Sequence, residues 1–188
     1  STQQGFIEAM LVTEALHGER VVRLKGGDPY VFGRGGEEVA ALRAAGVAHT
    51  VVPGITAGIA APAEAGIPVT DRRWAQGVLL VTGHAQPGHA GPDWAQLAHT
   101  ARGGITLVIY MGITHSADIT AALMAAGLAG STPAAVVQSG CTPQQRAHVG
   151  TLRTLAGDIR RVGIASPAIL VIGDVVRAMP TPQPGPIH

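Results

Sequence analysis

The 188 residues carry 13 Lys and Arg against 12 Asp and Glu, a formal net charge of +1 at pH 7, which leaves no electrostatic footprint for nucleic acid or an acidic membrane. Apolar residues make up 46% and aromatics 3%, a composition rich in Ala, Val and Gly that suits tightly packed α/β layers and buries a core as one domain or two small ones. No apolar run reaches membrane-spanning length and no signal peptide is read; Cys141 stands alone, so no internal disulfide forms and a reducing, cytoplasmic setting is expected.

Phe6, Ile7, Met10, Leu11 and Leu16 give the apolar spacing of a helix that ends near Gly18. The run Arg20-Val21-Val22-Arg23-Leu24-Lys25 is apolar and partly β-branched, and predicts a buried strand. Gly26-Gly27-Asp28-Pro29 stops it. Gly33-Arg34-Gly35-Gly36 then leads into Glu37-Glu38-Val39-Ala40-Ala41-Leu42, where acidic residues in the first turn favour the positive end of a helix. Strand, glycine-rich loop and helix make the usual place for a nucleotide-like ligand in an open α/β sheet, beyond the carboxyl ends of the strands.

The two common phosphate patterns fail here. Lys25 precedes the glycines rather than following them with Ser or Thr, and Gly33-Arg34-Gly35-Gly36 is not the dinucleotide fingerprint. The expected ligand is therefore a nucleoside without a polyphosphate, met by backbone that Gly26 and Gly27 let come close. Asp28 would accept hydrogen bonds from ribose hydroxyls or an ammonium group. The plainer alternative is a strand-ending turn in which Asp28 bonds only its own backbone.

Further along, Ala44-Ala45-Gly46 supplies a helix stop, with Gly46 suited to the left-handed position. Residues 49–54 read as a short strand and turn, and residues 55–61 begin a helix for which Thr56 is a natural N-cap. Asp71-Arg72-Arg73-Trp74-Ala75 breaks the apolar rhythm and sets the expected boundary between a first lobe (1–70) and a second (71–178), with a Pro-rich tail (179–188) expected to be disordered. In the second lobe, strands are expected at 77–83, 106–112, 133–140, 148–152 and 166–176. Helices are expected at 93–98, capped by Asp93, at 113–126, stopped by Gly127, and at 155–162. His84, His89 and His99 lack metal-ligand spacing and cysteine partners, so they read as surface histidines and no metal is expected. Met111, before a glycine at a strand end, is core filler by generic expectation.

The run Arg23-Leu24-Lys25-Gly26-Gly27-Asp28-Pro29, continuing through Phe32-Gly33-Arg34-Gly35-Gly36-Glu37-Glu38, resembles the signature of uroporphyrinogen-III C-methyltransferases. These are tetrapyrrole methylases that use S-adenosylmethionine. The resemblance spans about residues 4–176 and includes Pro53-Gly54-Ile55-Thr56-Ala57, Tyr110-Met111-Gly112 and Thr142-Pro143-Gln144-Gln145-Arg146. Asp71, where the family has His, and Cys141, where relatives carry Thr, are departures.

The resemblance implies an α/β, two-lobed tetrapyrrole-methylase-like fold with helix-covered sheets, whose first lobe is incomplete: the family's opening strand and Gly-Pro-rich turn have no counterpart before the first helix. It implies a cofactor in the cleft between lobes, held by Gly26, Gly27, Asp28, Val31, Thr56, Ala57, Met111, Ala135, Gly140 and Ala168. The implied reaction moves methyl groups from S-adenosylmethionine to two ring carbons of uroporphyrinogen III, giving precorrin-2 and S-adenosylhomocysteine at the branch to sirohaem and cobalamin. A homodimer is implied as well. The family's acid and base residues lie in the absent opening segment, so no catalytic residue is named.

Arg34 and Arg72 are assigned to the carboxylates of the tetrapyrrole, against the alternative that residues 71–75 are a solvated linker. Two rival readings stand beside this one. The chain is either a truncated, non-catalytic remnant that binds adenosyl ligand or only dimerises, or a nucleotide-linked oxidoreductase, which the absent fingerprint disfavours.

Overall fold

The structure, a computed structural model, describes residues 3–84 and 91–179. His89 and the tail beyond Met179 lie outside the described residues, and so do the expectations attached to them. Contacts divide the chain into two compact units, Ser1–Ala57 and Gly58–His188.

The first unit contains two helices, α1 (Gln4–Leu16) and α2 (Gly35–Ala44), which pack on each other. α2 begins two residues before Glu37, with Arg34 at its N-cap in the left-handed conformation, φ 58°. It ends as the sequence foresees: Gly46 has φ +69°, and the amides of Gly46 and Val47 donate to the carbonyls of Arg43 and Leu42 at 3.0 and 2.9 Å, the paired bonds of a Schellman motif.

The strands expected at 20–25 and 49–53 are not formed. Both segments are irregular, with Val22, Leu24 and Val52 exposed by 82%, 85% and 76%. A strand is defined by the ladder it makes with a neighbour, and among the described residues neither segment has one. Apolar, β-branched composition was present without the pairing that makes a strand.

The second unit is built on one five-stranded sheet: β1 (Gly77–Thr82), β2 (Ile105–Tyr110), β3 (Pro133–Gln138), β4 (Arg146–Thr151) and β5 (Ala168–Ile172), in the order β1-β2-β5-β3-β4. β1 runs parallel to β2, and every other pairing is antiparallel. The inner strands β2, β3 and β5 are buried nearly throughout, which is why they read as continuous apolar runs rather than alternating ones. The edge strand β4 is mixed and largely exposed.

Leu107, Ile109, Val136, Leu170 and Ile172 meet Leu123, Leu155 and Ile159 from α5 (Ser116–Ala125) and α6 (Leu155–Val162) in the main core. α4 (Trp94–Arg102) adds Ala98 and is capped as expected, the Gln96 amide donating to Asp93 Oδ1 at 3.0 Å. The last strand is shorter than the expected 166–176. β5 stops at Ile172, where its register with Leu107 and Ala134 runs out, and the chain turns at Gly173 into a 3₁₀ turn, Asp174–Ala178.

The helix α3 (Ala57–Glu64) leads into this second unit. The Gly58 amide donates to the Tyr110 hydroxyl at 2.6 Å, and a Cβ on Gly140 would meet Ala61. These contacts tie α3 to the sheet, so the contact division falls at 57/58, earlier than the break in apolar rhythm at Asp71.

Candidate functional site

In the first unit the site is built from two loops. Gly27 has φ +78°, a conformation open to glycine, and a Cβ there would lie 3.4 Å from the Ile55 carbonyl oxygen and 3.5 Å from the Ala57 amide nitrogen. Gly54 permits the approach from the other side, since a Cβ on it would collide with the Gly27 carbonyl oxygen. Gly27 is therefore where one loop seats on the other, while Gly26 differs: the space a Cβ would take there is open. Of the glycine pair, Gly26 presents free room and Gly27 shapes the loop.

Asp28 closes the arrangement. Its Oδ1 accepts from the Tyr30 amide at 2.8 Å, and its Oδ2 accepts from the Gly54 amide at 3.2 Å. These N–H groups, Tyr30 first, then Gly54 and Val31, hold its carboxyl below the ordinary 3.8. The plainer reading of Asp28 as a turn residue is thus met through Tyr30, and the bond to Gly54 adds a clasp between loops. Both partners are neutral, so the half-buried carboxylate keeps its full charge and spare lone pairs. Val31 is half-buried in the same loop, Thr56 is 8% exposed immediately before α3, and Ala57 opens that helix at the surface.

The cations beside this loop are already engaged. Glu38, 4% exposed, accepts from Lys25 Nζ at 3.1 and 3.0 Å, from Arg23 Nε at 3.2 Å and from Gln4 Nε2 at 3.3 Å. Burial alone would push its carboxyl up, but the hydrogen bonds from Lys25 and Gln4 and the charges of Lys25 and Arg23 outweigh it and hold it below 4.5. Arg34 forks onto Glu37, with Nε and Nη2 at 2.9 and 2.6 Å from its carboxylate oxygens. By sequence Glu37 and Glu38 share one role in a helix's first turn, whereas in the fold Glu37 is an exposed partner of Arg34 and Glu38 a buried anchor.

In the second unit the register brings three of the four expected residues to one end of the sheet. Gln138 pairs with Ala168, and Tyr110 pairs with Ile169, so Met111 after β2, Gly140 after β3 and Ala168 at the start of β5 are neighbours there. Met111 is not core filler: it is 51% exposed and left-handed, φ 53°. Ala168 is half-buried at the rim of the core. Gly140 is held small by Ala61 of α3. Ala135 lies apart in the body of β3, 0% exposed and paired with Val149 and Val171.

Tyr110, part of the Tyr110-Met111-Gly112 match, and Gly58 belong to this end, and their contact with each other was not foreseen from the sequence. A Cβ on Gly58 would run into the Tyr110 ring, and a glycine early in a helix was the only signal of that packing. Cys141 is exposed with φ 62°, its amide donating to Gln145 Oε1 at 2.8 Å.

Five non-glycine residues with positive φ occur among the described residues: Phe32, Arg34, Met111, Ser139 and Cys141. All fall in the loops just described, and such strain persists where surrounding structure over-determines it, commonly at ligand sites. A cleft of about 260 Å³ in the second unit, lined by Trp74, Arg102, Thr106 and Asp174, lies at the opposite end of the sheet and borders none of these residues. Among the described residues no three His, Cys, Asp or Glu side chains group as a metal site, and no helix is long and apolar enough to cross a membrane. His99 Nδ1 lies 3.3 Å from Arg102 Nη2.

At the linker, Arg73 donates to Asp71 at 2.9–3.0 Å and stacks 4.2 Å from the Trp74 ring centroid. The neighbouring Arg72 is exposed, and its side chain joins no described residue by hydrogen bond or ion pair.

The model of one protein family, the tetrapyrrole (corrin/porphyrin) methylases, matches residues 1–156. Siroheme synthase of Chromobacterium violaceum is 49% identical over 173 residues, which is 92% of this chain and 36% of the relative. Siroheme synthase 1 of Pectobacterium atrosepticum is 48% identical over 176 residues, 94% of this chain and 36% of the relative. The chain thus spans about a third of the length of these curated relatives. Among solved structures, uroporphyrin-III C-methyltransferase from Thermus thermophilus, complexed with S-adenosylhomocysteine, is 37% identical with a TM-score of 0.79, covering 93% of this chain and 74% of that one. A cobalt precorrin-4 methyltransferase is 26% identical with a TM-score of 0.81, covering 94% of this chain and 73% of that one.

Proposed function

This chain belongs to the tetrapyrrole (corrin/porphyrin) methylases, and from that premise we propose that it carries the S-adenosylmethionine-binding and tetrapyrrole-binding elements of a uroporphyrinogen-III C-methyltransferase, an enzyme that forms precorrin-2 on the way to sirohaem. The observation that carries the reading is the likeness, over 93% of the chain, to a uroporphyrin-III C-methyltransferase solved with S-adenosylhomocysteine.

The residues present fit such a cofactor. Gly26 leaves room beside exposed backbone, Asp28 offers an uncompensated carboxylate to an ammonium or to hydroxyls, and Met111 presents a thioether at a strand end. The proposed contacts are Gly26, Gly27, Asp28, Val31, Thr56 and Ala57 in the first unit, and Met111, Gly140 and Ala168 in the second, with Ala135, buried in β3, proposed to act from behind them. Gly27 acts by seating its loop on residues 55–57, and Ala135 by keeping β3 slim. When bound, S-adenosylmethionine supplies an electrophilic methyl group on a sulfonium.

The chain's own task is to hold methyl donor and acceptor in line, which orientation alone makes worth several orders of magnitude in rate. Arg72, exposed and without a partner among the described residues, is proposed to meet a substrate carboxylate; Arg34 would have to exchange Glu37 for one. No residue is assigned to take the proton that leaves the ring carbon. A homodimer in the cytoplasm completes the reading.

Calorimetric titration with S-adenosylhomocysteine and transfer of labelled methyl to uroporphyrinogen III test it together. Saturable 1:1 binding and labelled product are expected. Binding without transfer would leave the remnant reading in its place, and no binding would end the cofactor assignment.

A further inference from the structure

Lys25, directly before the glycine pair, is the kind of residue expected to reach for a ligand, yet its side chain is only 11% exposed and is spent on Glu38. Glu38 in turn gathers Gln4 of α1 and Arg23 of the segment before the loop. Two separate stretches of the first unit, α1 and residues 23–25, therefore converge on one buried carboxylate at the first turn of α2. From the other side, Asp28 fastens the same loop to Gly54. Gly26 and Gly27 are suspended between these two clasps, and glycines left unsupported sample far more backbone conformations than other residues.

We propose that Glu38 is a positioning residue for the Gly26–Asp28 loop, acting through Lys25 to hold it in its ligand-accepting conformation. This rests on the cofactor reading above for what the loop accepts, but not for the loop's order. The charges suit the task. Glu38 neutralises Lys25, and the one positive charge left over sits on Arg23, outside the glycine pair, so the loop itself carries the Asp28 carboxylate and Lys25 is not left free to compete for a ligand. A buried carboxylate left without its cation, or a cation without its carboxylate, is costly, so either deletion should loosen the clasp.

The test uses the 188-residue chain and its Glu38→Gln, Lys25→Met, Lys25→Arg and Glu37→Gln variants. Glu37 is the control, since it lies on the same turn and pairs with Arg34 instead. Two readouts are taken on protein well below its unfolding midpoint: affinity for S-adenosylhomocysteine, and NMR order parameters at the Gly26 and Gly27 amides without ligand. Glu38→Gln and Lys25→Met should each weaken binding by about tenfold and lower both order parameters. Their double variant should do no worse than either alone, because they break one clasp. Lys25→Arg should restore both readouts, and Glu37→Gln should match wild type.

Wild-type order parameters in folded Glu38→Gln, or additive effects in the double variant, would overturn the inference. Should Glu38→Gln fail to fold, Lys25→Met with its Lys25→Arg rescue decides the matter by the same two readouts. If wild type itself does not bind S-adenosylhomocysteine, the cofactor reading falls while the order parameters still judge the role of Glu38.

Discussion

Gly26 and Gly27 are adjacent and chemically identical, yet the structure separates their roles. Gly27 sits at φ +78° against the backbone of residues 55–57, so any side chain there bears the left-handed penalty of about 1–2 kcal/mol, and one that branches beyond a Cβ already in contact reaches into the partner loop. Gly27→Val should lower stability by roughly that amount or more and reduce S-adenosylhomocysteine affinity about tenfold by displacing the loop. Gly26→Ala meets open space and should leave stability within about 0.5 kcal/mol while weakening binding several-fold, because its methyl occupies room assigned to the ligand. Denaturant titration and calorimetry on the two variants decide this. Equal stability losses would show that the pair acts only as a turn. Asp28 adds a pH dependence of known sign. Its carboxyl is held below 3.8 by backbone N–H groups, so its contribution is present above that value and disappears as pH falls through the lower folded value. Asp28→Asn should remove that part of the acid sensitivity.

A strand needs a neighbour as well as an apolar run. Ile105–Tyr110 and Arg20-Val21-Val22-Arg23-Leu24-Lys25 look alike as short apolar runs, but the first lies between β1 and β5 and the second has no ladder among the described residues. β1, β2, β3 and β5 were legible because each is an apolar run bounded by turn residues, and the mixed β4 only as a strand-like stretch at 148–152. Pairing itself is a long-range fact that no local pattern contains. Helix ends were more legible still, since Asp93 and Gly46 act within a few residues of themselves. The corner between β4 and α6 was not. There Asp158 accepts from Arg161 at 2.6 Å and sits 3.3 Å from His148 Nε2. Arg161 first, then Thr154 and His148, pull its carboxyl down to about 2. Its stabilising contribution is therefore intact above 3.8 and is lost as pH drops through about 2. Asp158→Asn should lower the unfolding midpoint at neutral pH and flatten its decline over that acid window. An unchanged acid slope would mean the corner contributes nothing to stability.

For the molecule as a whole, a net charge of +1 hides how the cations are spent, and this governs which of them can serve a polycarboxylate. The candidate site was legible in its glycines and in Asp28, whose roles follow from backbone. It was illegible in its charges, because the sequence cannot tell Lys25 bound to Glu38, Arg34 to Glu37 and Arg73 to Asp71 from free cations. Arg72 is the contrast: exposed, beside a stacked Arg73–Trp74 pair, and joined to no described residue. A guanidinium joined to no described residue gives up only its hydration and side-chain freedom, not a protein carboxylate, when it meets a substrate carboxylate, and such a charge-assisted pair is among the stronger hydrogen-bonded contacts. Arg34 would first have to release Glu37. Arg72→Ala should therefore raise the Michaelis constant for uroporphyrinogen III about fivefold or more, near 1 kcal/mol of binding, with S-adenosylhomocysteine affinity unchanged. Arg34→Ala should do less. Steady-state kinetics with each variant, beside calorimetry for the cofactor, separate the two. A Michaelis constant left at its wild-type value in Arg72→Ala would return residues 71–75 to the solvated linker they otherwise resemble, and a larger effect from Arg34→Ala would mean that substrate displaces Glu37.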